Sequence, residues 1–338
     1  MGASVASALT RRNFLSFDFG DRQSDAGHWV RVHRTAMACR FEVLLSSDDA
    51  GEMAAAREAL DEADDLESLL TVFRETSAVA DVNRRAPAES VTVGATLFAL
   101  LARSAELHAA TGGAFDVTST PLSRCWGLLQ RDGRAPSDSE LAAARELVGM
   151  GHVRLDARAR SVRFGRDGIE LNFGAIGKGF ALDRMGALLR RRGAARALLS
   201  AGHSSVLALA GRGRRGWPVD LRPRRASRRV GRLWLDNAAV GTSGAGEQFV
   251  EVDGRRYDHV IDPRTGRPAE GVLGSSVVAR DAATADALST AFLIGGPDLA
   301  RRYCAEHDDI LAVLVLDEPG ERTEVFGRCT GATLEMLT

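Results

Sequence analysis

Apolar positions in this chain recur at two periods, one helical and one extended, and their alternation lays out most of its elements. In residues 51–72, Ala55, Ala59, Leu60, Ala63, Leu66, Leu69 and Leu70 form one stripe opposite Asp and Glu, which predicts an amphipathic helix. A second predicted helix covers 96–111, with Leu97, Leu100, Leu101, Ala105 and Leu107 inward and Gly112-Gly113 as its stop. Residues 137–148 predict a short exposed helix capped by Ser137 or Ser139, with Glu140 placed for a capping box. Helices are also expected at 179–192 and in DAATADALSTAFLIGG, where Asp281 or Thr284 caps and Gly295, Gly296 and Pro297 stop the run. Strands are expected at 29–46, at 153–156, 161–164 and 169–172 as a meander, and as strand, turn and strand in ALLSAGHSSVLALAG.

A length of 338 residues and 36.1 kDa allows two domains or one large domain of two lobes, and 45% hydrophobic residues mark a globular chain. Forty-four basic residues against 45 acidic ones leave a net charge of −1, so no global field recruits nucleic acid or an anionic membrane. Cys39, Cys125, Cys304 and Cys329 form no close pair and no metal-ligand spacing, which fits a reducing compartment, packing roles and no structural zinc. Thr10-Arg11-Arg12-Asn13-Phe14-Leu15 resembles a twin-arginine export motif, but SFDFGDRQSDAGHW follows where an apolar region belongs. A cytoplasmic chain is therefore expected, with twin-arginine export as the alternative and no membrane-spanning helix. Residues 1–28 are expected to be a disordered tail before a single domain at 29–338.

Nine arginines between 211 and 232 could grip phosphates. The run holds only Trp217 as an aromatic and is broken by Pro218 and Pro223, so a solvated loop between strands is expected instead of a nucleic-acid site. Gly211, Gly213 and Gly216 spell GxGxxG, but no helix pattern follows and a dinucleotide fold is rejected.

The chemistry concentrates in YDHVIDPRTGRPAEG, residues 257–271. There Asp258, His259, Asp262, Arg264 and Thr265 offer donors, acceptors and an imidazole around a turn set by Pro263 and Gly266. Downstream, Asp286 and Thr290 stand one helical turn apart, with β-carbons about 6 Å from each other, close enough to share a hard cation such as Mg2+. The bland alternative is a Thr bonding its own helix carbonyl beside a solvated Asp. In LNFGAIGKGFALD, Gly174, Gly177 and Gly179 surround Lys178 at a helix start, which suits a phosphate without being a Walker loop. Close helix–sheet packing would also explain the glycines. Together these segments read as a metal-assisted diphosphate site.

The order of GAFDVTSTPL, LNFGAIGKGFALD, SAGHSSVLALAG, GTSGAGEQFVEVDG, YDHVIDPRTGRPA and TADALSTAF resembles the ApbE family of FAD:protein FMN transferases. The weaker blocks AMACRFEV and FRETSAVADVNR extend the likeness to residues 30–330. The resemblance implies an α+β fold, a two-lobed mixed α/β architecture with FAD in the cleft between lobes. It implies that Met37, Phe73, Ala114, Phe115, Asp116, Asn172, Lys178 and Val260 line the FAD. Magnesium would be held by the carbonyl of Ala175 and the side chains of Asp286 and Thr290. The implied reaction transfers FMN from FAD to a threonine of an acceptor flavoprotein carrying a Ser/Asp-Gly-Ala-Thr-like motif, with release of AMP. The alternatives are an FAD pyrophosphatase and a non-catalytic flavin binder. His259 is the candidate for proton transfer or acceptor placement, with a structural role in the Asp262 turn as the alternative; Asp286 is the other candidate catalytic residue.

Three positions depart from the family pattern: Asn172 stands for an Asp, His203-Ser204 for a second Gly and its follower, and AMAC for Met-Gly-Thr. Thr330-Gly331-Ala332-Thr333, read as part of an accessible terminal tail, resembles the acceptor motif itself; a chance match in a chain rich in Gly, Ala and Thr is the first reading, and self-flavinylation at Thr333 the alternative.

Overall fold

The computed structural model describes residues 15–16, 29–46, 50–128, 134–194, 196–211, 215–222, 229–244, 249–252 and 255–337. The chain begins with β1 (Leu15–Ser16), a hairpin of β2 (Trp29–Ala36) and β3 (Cys39–Ser46), and then α1 (Ala50–Leu70). A smaller lobe follows: α2 (Ala78–Arg85), β4 (Val91–Thr92), α3 (Ala95–Ala110), α4 (Thr120–Cys125), α5 (Asp138–Arg145), β5 (Val153–Asp156) and β6 (Ser161–Phe164). The main body resumes with α6 (Gly177–Arg191), β7 (Ala197–Ala201), β8 (Ser205–Leu209), β9 (Trp217–Leu221), β10 (Gly231–Leu235) and β11 (Ala239–Gly244). It closes with β12 (Phe249–Val252), β13 (Arg255–Asp258), β14 (Val272–Ala279), α7 (Ala282–Glu306), β15 (Ile310–Leu316), β16 (Thr323–Arg328) and β17 (Ala332–Met336).

The centre of the main body is an eight-stranded sheet in the order β16-β15-β14-β11-β8-β7-β3-β2, antiparallel throughout. Strand alternation sends its side chains to two cores. Val43, Leu45, Leu199, Leu207 and Val277 join the apolar stripes of α1, α6 and α7. Leu44, Leu198, Val206 and Val278 meet Trp217, Val219, Leu233 and Leu235 of a second sheet, ordered β1-β9-β10-β17. Because both faces are covered, β7, β8 and β15 are buried along their whole length, which is why they read as unbroken apolar runs. The fold is thus mixed α and β; the small lobe's three-stranded sheet, ordered β4-β6-β5, is a separate sheet whose Val91, Val162 and Phe164 join the main core.

The expected helices lie close to their predicted places, and Ser137 and Glu140 form the full capping box. Other expectations change. The run 29–46 is two strands, because Met37 and Ala38 adopt φ of 48° and 55° and turn the chain back. Residues 169–172 give only an isolated bridge at Glu170; β4, supplied from far upstream, is the third strand of that sheet. Within the segment read as a tail, Leu15–Ser16 pairs with Leu221 and Asp220.

The arginine-rich run is not simply a loop. It contains β9, whose Asp220 is buried and paired by Arg229 and Arg232 at 2.7 and 2.8 Å; residues 212–214 and 223–228 lie outside the described residues. The stop at Gly295–Pro297 is a break within α7: Gly296 has φ 63° and ψ −164°, and Pro297 starts a second helical stretch. Thr333 belongs to β17, opposite Trp234, and not to a loose tail. Among the described residues, no helix is long and apolar enough to cross a membrane.

Candidate functional site

The site is built where α6, α7 and the middle of the large sheet meet at close range. Asp281 caps α7 by accepting from the Thr284 N–H at 2.8 Å, and Asp183 of α6 accepts from Ala282 and Ala283 at 2.8 and 2.9 Å. Burial first, and then the charge of Asp281, push the Asp183 carboxyl up to about 7 against those two bonds. Two glycines permit the approach. A β-carbon at Gly179 would stand 2.1 Å from the Ala282 carbonyl oxygen, and one at Gly241 of β11 would stand 2.5 Å from that of Ala285.

That contact seats Asp286. Its Oδ2 accepts from the Gly179 N–H and its Oδ1 from the Ser205 hydroxyl, both at 2.6 Å. The residue is 5% exposed. Burial pushes its pKa up, while the Lys178 charge, Ser205 and Gly179 act in the opposite sense. Thr290, one turn later, bonds the Ser243 hydroxyl of β11 at 3.0 Å, so the bland expectation of a Thr bonded to its own helix beside a solvated Asp does not describe this pair.

A cleft of about 430 Å3 opens above these residues, between the small lobe and the main body. It is lined by Ala114, Phe115, Asp116, Asn172, Ala175, Lys178, His259, Val260, Asp286 and Thr290, ten positions singled out from sequence. Met37 and Phe73 are not among its lining residues. Met37 sits in the β2–β3 turn with its N–H donated to Glu67 at 3.0 Å, and Phe73, beyond the end of α1, is 85% exposed. Sequence reasoning missed Ser119, Thr120, Ser123, Ser204, Thr242, Ser243 and Ser289, which also line the cleft. For five of them the signal was present as hydroxyl-rich blocks, STPLS and GTSG, but a serine carries no period.

The walls are fixed by local bonds. Asn83 of α2 holds the strand-like approach to the cleft through the Leu171 N–H and carbonyl, at 2.8 and 3.0 Å. Asn172 Oδ1 accepts from the Gly174 N–H at 2.9 Å, a turn that the side-chain carbonyl of Asn makes as an Asp would. Asp116 accepts from the Thr118 N–H and hydroxyl, and its second oxygen lies 3.1 Å from His108 Nδ1. His108 was not foreseen. The bond to Asp116 raises its pKa above the ordinary value. His259 Nδ1 lies 2.8 Å from Asp258 Oδ1, whereas Asp262 bonds Arg264.

The donor set suits a hard cation. Ala175, Asp286 and Thr290 offer a carbonyl, a carboxylate and a hydroxyl on one cleft, all oxygen. Among the described residues no group of three or more His, Cys, Asp or Glu is placed to hold a metal ion.

The family model described as "ApbE family" matches residues 37–315. A FAD:protein FMN transferase of Klebsiella pneumoniae (strain 342) is 31% identical over 252 residues, covering 74% of this chain and 78% of its own. The crystal structure of an ApbE protein from Thermotoga maritima superposes with a TM-score of 0.81 at 27% identity, covering 90% of this chain and 97% of that one. The apo form of the flavinyl transferase ApbE from Pseudomonas stutzeri gives 0.77 at 26% identity, covering 89% and 95%.

Proposed function

The chain belongs to the ApbE family, and from that membership we propose that it transfers FMN from FAD to a threonine hydroxyl of an acceptor protein, with Mg2+ bound and AMP released. The observation that supports this most is the meeting of Lys178, Ala175, Asp286 and Thr290 on one cleft with Asp116 and His259. Ala175, Asp286 and Thr290 would hold Mg2+, which when bound supplies positive charge to the diphosphate oxygens.

The reaction forms a bond between the threonine Oγ and the FMN phosphorus and breaks the bond from that phosphorus to the bridging oxygen, which leaves on AMP. Charge grows on the phosphoryl and bridging oxygens as this proceeds. Lys178, in the first turn of α6, meets that charge with its ammonium and with the N-terminal end of the helix behind it. His259, whose Nδ1 lies 2.8 Å from Asp258 Oδ1, is the base that takes the proton of the incoming hydroxyl. Asp116 and Asn172 line the cleft on the small-lobe side and orient the FAD.

The test is intact mass and AMP release after mixing the protein with FAD, Mg2+ and a peptide carrying Ser-Gly-Ala-Thr, beside Asp286→Ala. The expected result is a peptide heavier by one FMN and AMP only when Asp286 is present. AMP without a heavier peptide would mean water is the acceptor, and bound FAD without AMP would mean a flavin binder.

A further inference from the structure

Behind Thr290 lies a chain of hydroxyls whose direction the geometry fixes. The Ser289 hydroxyl donates to the Asp286 backbone carbonyl at 2.8 Å, and a carbonyl can only accept. Ser289 has one hydroxyl proton and has now used it. In its 2.8 Å contact with Ser243, therefore, Ser243 is the donor. Ser243 has likewise used its proton, so in the 3.0 Å contact with Thr290 the donor is Thr290. Thr290 Oγ1 is thereby left with lone pairs and no proton to direct elsewhere.

We infer that Ser243 and Ser289 are positioning residues that polarise Thr290 into a lone-pair donor for a divalent cation. This rests on the metal site proposed above. The relay belongs to the fold: β11, where Ser243 sits, is pressed against α7 at Gly241, which leaves the two hydroxyl-bearing elements at fixed separation. A hydroxyl free to rotate would present its proton to the cation part of the time. One locked by an outgoing bond does not.

The experiment is calorimetric titration of the full-length protein with Mg2+ alone, for the unmodified chain and for Ser243→Ala, Ser289→Ala and Ser275→Ala. Ser275 is the control: it is fully buried beside Ser243 in the β11–β14 register, and its hydroxyl has no hydrogen-bond partner among the described residues. Ser243→Ala is expected to raise the Mg2+ Kd by about ten-fold or more, the scale of a lost supporting bond at a metal site. Ser289→Ala frees the Ser243 proton and is expected to raise it roughly three-fold, one net hydrogen bond's worth. Ser275→Ala should leave it unchanged. Unaltered affinity in Ser243→Ala, or an equal loss in Ser275→Ala, overturns the relay. If Ser243→Ala does not fold, unaltered affinity in Ser289→Ala does the same. Failure of the unmodified protein to bind Mg2+ overturns the metal reading itself and the relay with it.

Discussion

The sharpest consequence of the helix contact at the site concerns one methyl group at Gly179. Gly179→Ala would put a β-carbon 2.1 Å from the Ala282 carbonyl oxygen, 2.4 Å from its carbon and 2.8 Å from the Ala283 nitrogen, all of them backbone atoms that cannot swing aside. Relief requires α6 and α7 to part by about 1.3 Å or more, the distance separating a 2.1 Å clash from ordinary van der Waals contact at 3.4 Å. The Gly179 N–H, now 2.6 Å from Asp286, would then lie beyond hydrogen-bonding range. Overpacking costs about 1–3 kcal/mol and a lost bond to a buried carboxylate about 1.5–3, with about 1 returned by the better helix propensity of Ala. The expected net loss is about 1.5–5 kcal/mol of stability, with a weaker hold on the proposed Mg2+ because Asp286 loses one of its two anchors.

Gly177→Ala, in the same helical turn, is the internal comparison: its new β-carbon would meet only side-chain atoms, the nearest at 3.8 Å, so stability should hold or rise by up to about 1 kcal/mol. Guanidinium denaturation of both variants decides. Wild-type stability in Gly179→Ala, or an equal loss in Gly177→Ala, would refute the close-contact reasoning.

Other expectations test neighbouring parts of the structure. Ser205→Ala removes the hydroxyl that donates to Asp286 Oδ1 and is expected to destabilise by about 1.5–3 kcal/mol in denaturant melts; a neutral result would mean that the bond carries no weight. Ala38→Gly should stabilise by about 1 kcal/mol, since Ala38 holds a φ of 55° in the β2–β3 turn, and an unchanged or lower midpoint would contradict this strain. His108 has a pKa raised by Asp116, so its contribution to stability is present below the ordinary histidine pKa of about 6.5 and is lost as pH rises through the higher folded value. His108→Gln should flatten that part of the stability–pH profile, and an unaltered profile would remove His108 from the account.

Much of this was readable along the chain because it depends on near neighbours. The stripe of α1, the Ser137–Glu140 box and the Asp281 cap are set by residues within a turn or two of each other, where spacing is geometry. Asp286 and Thr290 could be paired for the same reason, and the ordered blocks carried the family. What bends the chain by backbone conformation was harder to see: Met37 and Ala38 turn without a glycine between them, so two strands read as one. The rest came only from tertiary contact. No spacing ties Asp286 to Ser205 or to the Gly179 N–H, which lie 81 and 107 residues away in sequence. Nor could the pattern show that β4 completes the small lobe's sheet, that His108 meets Asp116 along the cleft wall, or that Asp220 is buried among arginines. A serine or a charged side chain is polar wherever it stands in the sequence. Whether it faces water, a partner or a cation is decided by which distant backbone folds against it, and at this site two glycines without side chains let that backbone come close enough.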